Sequence, residues 1–178
     1  MDETDERASA RWRLEHAGLR REAAQLARLA SGLSAWSAPA TPDALLRVRG
    51  FLHDHLLGHL GAEETVVYPA MDELLGVEQF TVSMRADHDA IRQRADALTA
   101  VIDDVGQGPP STAQAEALRE HLYGLWAIVD LHLEKEEQIL FDLLDARLTP
   151  ADVEALHQQT AVHVAPPDQR PLTHTRQR

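Results

Sequence analysis

Apolar residues recur along most of the chain at steps of three and four, the spacing of a single helical face. The first run, Trp12, His16, Leu19, Ala23, Leu26, Ala30 and Leu33, predicts a helix over roughly residues 5–32. "SGLSAWSAPATPD" breaks it. Thr41 and Pro42 then read as the N-cap and first position of a second helix, about 42–67. Its inward face is Leu45, Val48, Leu52, His55 or Leu56, His59, Glu63 and Val66, and Pro69 is expected to end or kink it. A short turn, "AMDELL", closes at Gly76. The third helix, about 78–105, turns Met84, His88, Ile91, Ala95, Leu98 and Ile102 inward. "GQGPPS" is a loop. The fourth helix, about 112–146, has the face Leu118, His121 or Leu122, Leu125, Ile128, His132, Glu136, Ile139 and Leu143. "PADVEALHQQ" is expected to form a short further helix. Residues 160–178, with three prolines, read as a mobile tail in which His163 and His174 serve no site. No stretch alternates like a strand.

Four helices of similar length with short connections imply an all-α, up-down-up-down antiparallel four-helix bundle. Residues 1–149 would form the bundle, and 150–178 the short helix and tail. The chain also repeats itself. "EHAGLRREAAQLARL" is similar to "DHDAIRQRADALTAV", and "HLGAEETVVYP" to "HLEKEEQILFD". His16 thus corresponds to His88, and His59 to His132. Helices 1–2 and helices 3–4 read as two copies of one helical hairpin.

The polar residues inside these apolar faces carry the chemistry. At about 1.5 Å of rise per residue, His16 and His59 lie at nearly the same height in an antiparallel pair, and His88 and His132 match more loosely. His59 and Glu63, and likewise His132 and Glu136, are four apart and share a face. Four imidazoles and two carboxylates would therefore converge at one level of the core. An unpaired buried carboxylate costs several kcal/mol or stays protonated, on the order of the penalties for buried polar groups. Metal ions remove that cost, and imidazole with carboxylate suits iron, manganese or zinc.

This arrangement resembles the hemerythrin-like, or HHE cation-binding, domains, over roughly residues 10–145. The resemblance rests on His16, His59-x-x-x-Glu63, His88 and His132-x-x-x-Glu136, with the paired glutamates and the "VVYP" and "ILF" tails. It implies a non-haem di-iron centre with oxo- or hydroxo-bridged irons, zinc or manganese being the lesser alternatives. His16, His59, His88 and His132 would be terminal ligands, and Glu63 and Glu136 would bridge. The sequence departs from the oxygen-carrying members. Where they place a second histidine four residues on, this chain has Arg92, and Arg20 at the equivalent place in the first helix. Where they end the fourth-helix motif with aspartate at five-residue spacing, it has Glu136 at four. Fewer protein ligands leave positions open to water or small ligands. Binding or sensing of dioxygen, peroxide or nitric oxide is expected over reversible oxygen carriage. Catalase-like or oxidase chemistry at the same centre is the alternative. A metal-stabilised or metal-free helical adaptor is a further one.

The remaining polar residues divide by position. His55 has Ile128 as its repeat counterpart and reads as a non-ligand; His121 reads as structural and His53 as solvent-facing. Glu64 and Glu137 sit about 100° around the helix from the bridging positions, as a flank that Arg92 and Arg20 would brace. Tyr68 and Phe141 read as core caps, and Trp12, Trp36 and Trp126 as packing residues.

Composition narrows the partners. The chain has 178 residues, a formal charge of −12 and no cysteine. Thiolate sites and disulfides are thereby excluded. An acidic surface repels phosphate backbones, so no nucleic-acid partner is expected. With no apolar leader and no run long enough to span a bilayer, no membrane partner and a cytoplasmic location are expected.

Overall fold

The computed structural model describes residues 7–33, 41–77, 80–106 and 108–164; the side chains of residue 41 and of 161–164 are outside that description. Trp36 and the segment from 165 onward, with His174, lie outside the described residues, as do the side chains of Thr41, on which the proposed cap depends, and of His163. Helix α1 is Ala10–Gly32. Helix α2 covers 41–75 without a break: Thr41–Gly50, a π-helical Phe51–Leu56, Leu57–Ala62, a π-helical Glu63–Val67, and Tyr68–Leu75. Helix α3 is Val82–Val105. Helix α4 covers 112–147 as Thr112–Lys135, a π-helical Glu136–Phe141 and Asp142–Arg147. Helix α5 is Pro150–Val164. The described residues contain no strand, and none of their helices is long and apolar enough to cross a membrane.

The ends follow local chemistry. Ser111 and Gln114 form a reciprocal capping box before α4. Thr149 and Asp152 bond each other's backbone and side chain at the start of α5. Gly76 adopts φ 61°, the left-handed stop that glycine tolerates. The starts of α1 and α3 are held from outside their own helices. Asp145 on α4 accepts from Ser9 N and Oγ (2.7 and 2.9 Å). Asp72 on α2 accepts from Thr81 N and Oγ1 (3.0 and 3.3 Å). These two clasps occupy matching repeat positions.

The inward faces of α1 and α3 are those expected: Trp12, His16, Leu19, Ala23, Leu26, Ala30 and Leu33, and Met84 through Ile102, are buried. Several other expectations need correction. Pro69 does not end α2, which runs on to Leu75, so "AMDELL" is part of it. Proline lacks the N–H that would bond back into the preceding turn; here that turn is the π-helical Glu63–Val67, which is already irregular. Helix α3 begins at Val82, not near 78. Helix α5 continues through Val164, so residues 160–164 are helical rather than tail. On α4 the buried residues are Val129, Leu140 and Leu144, where the periodicity gave Ile128, Ile139 and Leu143; Ile139 is exposed. The π-helical turn at Glu136 adds a residue, which moves the inward positions after it one place along, to Leu140 and Leu144. Val129 lies before that turn and replaces Ile128 because the regular helix steps four then three between Leu125 and His132.

Two apolar clusters divide the core. The larger joins Leu19, Leu60, Ile91 and Leu133 to the residues beyond them. The smaller contains Trp12, Val67, Tyr68, Met71, Met84, Leu140, Phe141 and Leu144, with Val153 from α5. The polar residues His16, His59, Glu63, His88, His132 and Glu136 fall between these two clusters on all four helices.

Candidate metal centre

All six candidate ligands meet in that layer. Two overlapping groups have ligand atoms close enough to share an ion: His16, His59, Glu63 and Glu136, and Glu63, His88, His132 and Glu136. The two glutamates belong to both. Every imidazole turns Nε2 inward. His59 Nε2 lies 2.9 Å and His16 Nε2 3.6 Å from Glu63 Oε1, and His88 Nε2 3.5 Å from Glu63 Oε2. Glu136 Oε2 is 3.6 Å from His16 Nε2 and 3.4 Å from His132 Nε2. The His88 and His132 Nε2 atoms approach to 2.9 Å. Nδ1 faces outward: those of His16 and His88 oppose Glu137 and Glu64, at 3.5 and 3.0 Å. Glu64 is in turn gripped by both Arg92 Nη atoms (2.7 and 2.8 Å), and Glu137 lies 3.5 Å from Arg20. Arg92 and Arg20 thus brace the flanking glutamates. His132 Nδ1 faces Asp87 at 3.5 Å, and Lys135 holds Asp87.

The π-helical turns begin on the two shared glutamates. In a regular helix the residue five places on would sit about 140° away. The wider i→i+5 ladder brings it back toward the same face. Tyr68 and Phe141 are those residues, and both enter the site. Phe141 lies against His16 with ring centroids 4.6 Å apart. Tyr68 is fully buried; its hydroxyl donates to Glu136 Oε1 at 2.5 Å and lies 2.8 Å from His88 Nε2. Tyr68 is therefore more than the core cap that its position suggested. Arg85 covers its ring as Arg13 covers Phe141.

The electrostatics show what the donors need. Burial would raise Glu63, but the facing imidazoles of His59, His16 and His88 outweigh it and hold its carboxyl well below the usual range. Glu136 goes the other way: burial, then repulsion from Glu63, raises it well above that range. Burial pushes His132 down to about 4, with His88 adding to it against the attraction of Glu63. His16 is raised, because Glu137 and Glu63 outweigh its burial. His16 Nε2, His59 Nε2, Glu63 Oε2 and Glu136 Oε2 are buried without a hydrogen-bond partner. Orphaned acceptors of this kind, converging from four helices, fit divalent or trivalent cations with nitrogen and oxygen preference.

The two halves are unequal in access. The His59 side chain is 14% exposed, against 1% or less for the other three imidazoles. A cavity of about 30 Å³, lined by Glu15, His16, His59, Ala62, Glu63 and Thr160 among others, opens onto the His16–His59 side. His55 is exposed and bonds Glu22 at 2.6 Å, away from the centre. His53 faces solvent, His121 is half-buried, and Trp12 stacks on Phe141. The sequence reading missed Asp87 and His157. Asp87 was visible in principle as the residue preceding His88, as Glu15 precedes His16. His157 lies on α5, outside the repeat, and nothing in the repeat pointed to it.

The family model of the hemerythrin HHE cation binding domain matches residues 7–163. The chain belongs to that family. Searches of curated proteins and of solved structures return no match.

Proposed function

We propose that this is a non-haem di-iron protein that binds or senses a small ligand, dioxygen, peroxide or nitric oxide, at the shared-carboxylate layer. The observation that carries this reading is the pair of four-residue donor groups with Glu63 and Glu136 in common. His16 and His59 would hold one ion and His88 and His132 the other, with the two carboxylates spanning both. When bound, iron would supply redox and Lewis-acid chemistry with positions left open. The chain itself restricts what arrives. A water needs about 10–15 Å³ by the same measure, so the cavity of about 30 Å³ beside His16 and His59 has room for a small ligand. Anaerobic reconstitution with ferrous iron, followed by oxidation, should give two irons per chain and a near-ultraviolet charge-transfer band. A chain that retains no iron overturns the reading.

The catalase-like alternative is favoured by Tyr68. Its hydroxyl keeps its proton because burial and the neighbouring Glu63 and Glu136 raise its pKa far above the ordinary phenol value. That places a proton donor between Glu136 and His88. In that case hydrogen peroxide should release dioxygen rapidly, with His59→Ala abolishing the reaction. Tyr68→Phe should slow it at unchanged iron content. Peroxide that only bleaches the centre argues for binding or sensing.

A further inference from the structure

Matching the two hairpins residue by residue exposes one break in the pattern. Three of the four imidazoles have a carboxylate facing Nδ1: Glu137 for His16, Glu64 for His88 and Asp87 for His132. Such outer carboxylates fix the ring and raise its basicity toward a metal, and losing one typically costs about 10–100-fold in affinity. His59 has no such ion pair among the described residues; its ion pair is the inward one with Glu63. The repeat says which residue is missing. Asp87 precedes His88, and its counterpart preceding His16 is Glu15. Glu15 is on the correct helix and lines the same cavity as His59. Its carboxylate, however, is bonded at 2.6 Å to His157 Nε2, from helix α5.

The surroundings favour that diversion. In the second half Lys135 pins Asp87 in place. The counterpart of Lys135 is Ala62, which leaves open the space that the cavity occupies. His157 is itself buried and packs against Trp12, with ring centroids 6.2 Å apart. The C-terminal helix therefore supplies a fixed competitor for Glu15 that no part of the repeat contains.

We propose that His157 is a positioning residue: by holding Glu15 away from His59, it makes the ion held by His16 and His59 the weaker and more exchangeable of the two. The inference rests on the two-ion reading above. The sealed half, with Asp87 held by Lys135 at 3.5 Å from His132 Nδ1, binds first and tightly. The half beside the cavity binds second, and its ion is the one that small competing ligands and chelators reach.

The test is an anaerobic titration with ferrous iron against a competing chelator, which resolves two binding constants. Wild-type protein should bind its second iron at least about tenfold more weakly than its first. Asp87→Asn should weaken the first by about tenfold. Glu15→Gln, the matched substitution, should leave both within about twofold, because Glu15 is already engaged elsewhere. His157→Phe keeps an aromatic ring against Trp12 but frees Glu15, and should tighten the second iron by about tenfold. Adding Glu15→Gln to His157→Phe should remove that gain. The inference is overturned if the wild-type constants are equal, if Glu15→Gln weakens binding as much as Asp87→Asn does, or if the double variant keeps the gain. Equal constants for two bound irons would leave the di-iron reading standing, whereas a chain that binds no iron would remove both.

Discussion

At the scale of single residues, the centre combines groups that burial alone would neutralise with partners that keep some of them charged. His132 shows the consequence for pH. In the metal-free chain its value of about 4 lies below the 6.5 of an unfolded imidazole. Its contribution to stability is therefore full above 6.5 and is lost as pH falls toward 4, by up to about 3 kcal/mol. His16, which is raised, runs the other way: its contribution is full below 6.5 and is lost as pH rises through its folded value. The two are separable by substitution. In urea unfolding of the metal-free protein, His132→Gln should flatten the acid limb, so that its stability changes less than wild type between pH 7 and pH 4.5. An equally steep limb in the variant would place the acid sensitivity elsewhere.

At the scale of elements, the clasps at Ser9 and Thr81 replace ordinary N-terminal caps with aspartates from a neighbouring helix. Asp72→Ala and Asp145→Ala should each cost about 0.5–2 kcal/mol, the usual range for a lost cap. Hydrogen exchange should speed at the first turn of α3 in one variant and of α1 in the other; exchange unchanged at both would show that the clasps add nothing. The same scale explains what the sequence could and could not disclose. Helices α1 and α3 were legible because regular 3.6-residue turns map spacing directly onto a face. The buried polar layer was legible because its residues repeat at equivalent places in two hairpins. Ile139, Leu143 and Tyr68 were misplaced because the π-helical turns change the angle per residue, and no composition signal marks where a wide turn begins. Pro69 does not stop α2 because the turn before it is already π-helical. His157 was hidden because it acts only through a contact between helices far apart in sequence.

At the scale of the whole molecule, the polar layer is a fault in an otherwise continuous apolar core, bounded by the two hydrophobic clusters. A cation that binds the folded layer and not the unfolded chain stabilises by mass action, by about 2.7 kcal/mol at a hundredfold excess over Kd. Melting of metal-free protein should therefore shift upward on adding ferrous iron, and a chelator should reverse the shift. The double variant Glu63→Gln/Glu136→Gln should lose the shift while still folding, since neutral amides remove the buried charge. A wild-type melting temperature indifferent to both additions would mean that the layer is satisfied without a cation.

The paired clasps have a further consequence when considered together. Asp72 belongs to the first hairpin and grips the second, whereas Asp145 belongs to the second and grips the first. Glu64 with Arg92, and Glu137 with Arg20, cross in the same reciprocal way. That is the contact rule of an isologous two-fold dimer, in which each partner offers the same patch and receives it back. The chain that joins Gly76 to Phe80 then links two like halves that already hold each other through these contacts. Cutting it should leave two fragments that find each other and re-form the same interface, with Glu63 of one and Glu136 of the other meeting across it.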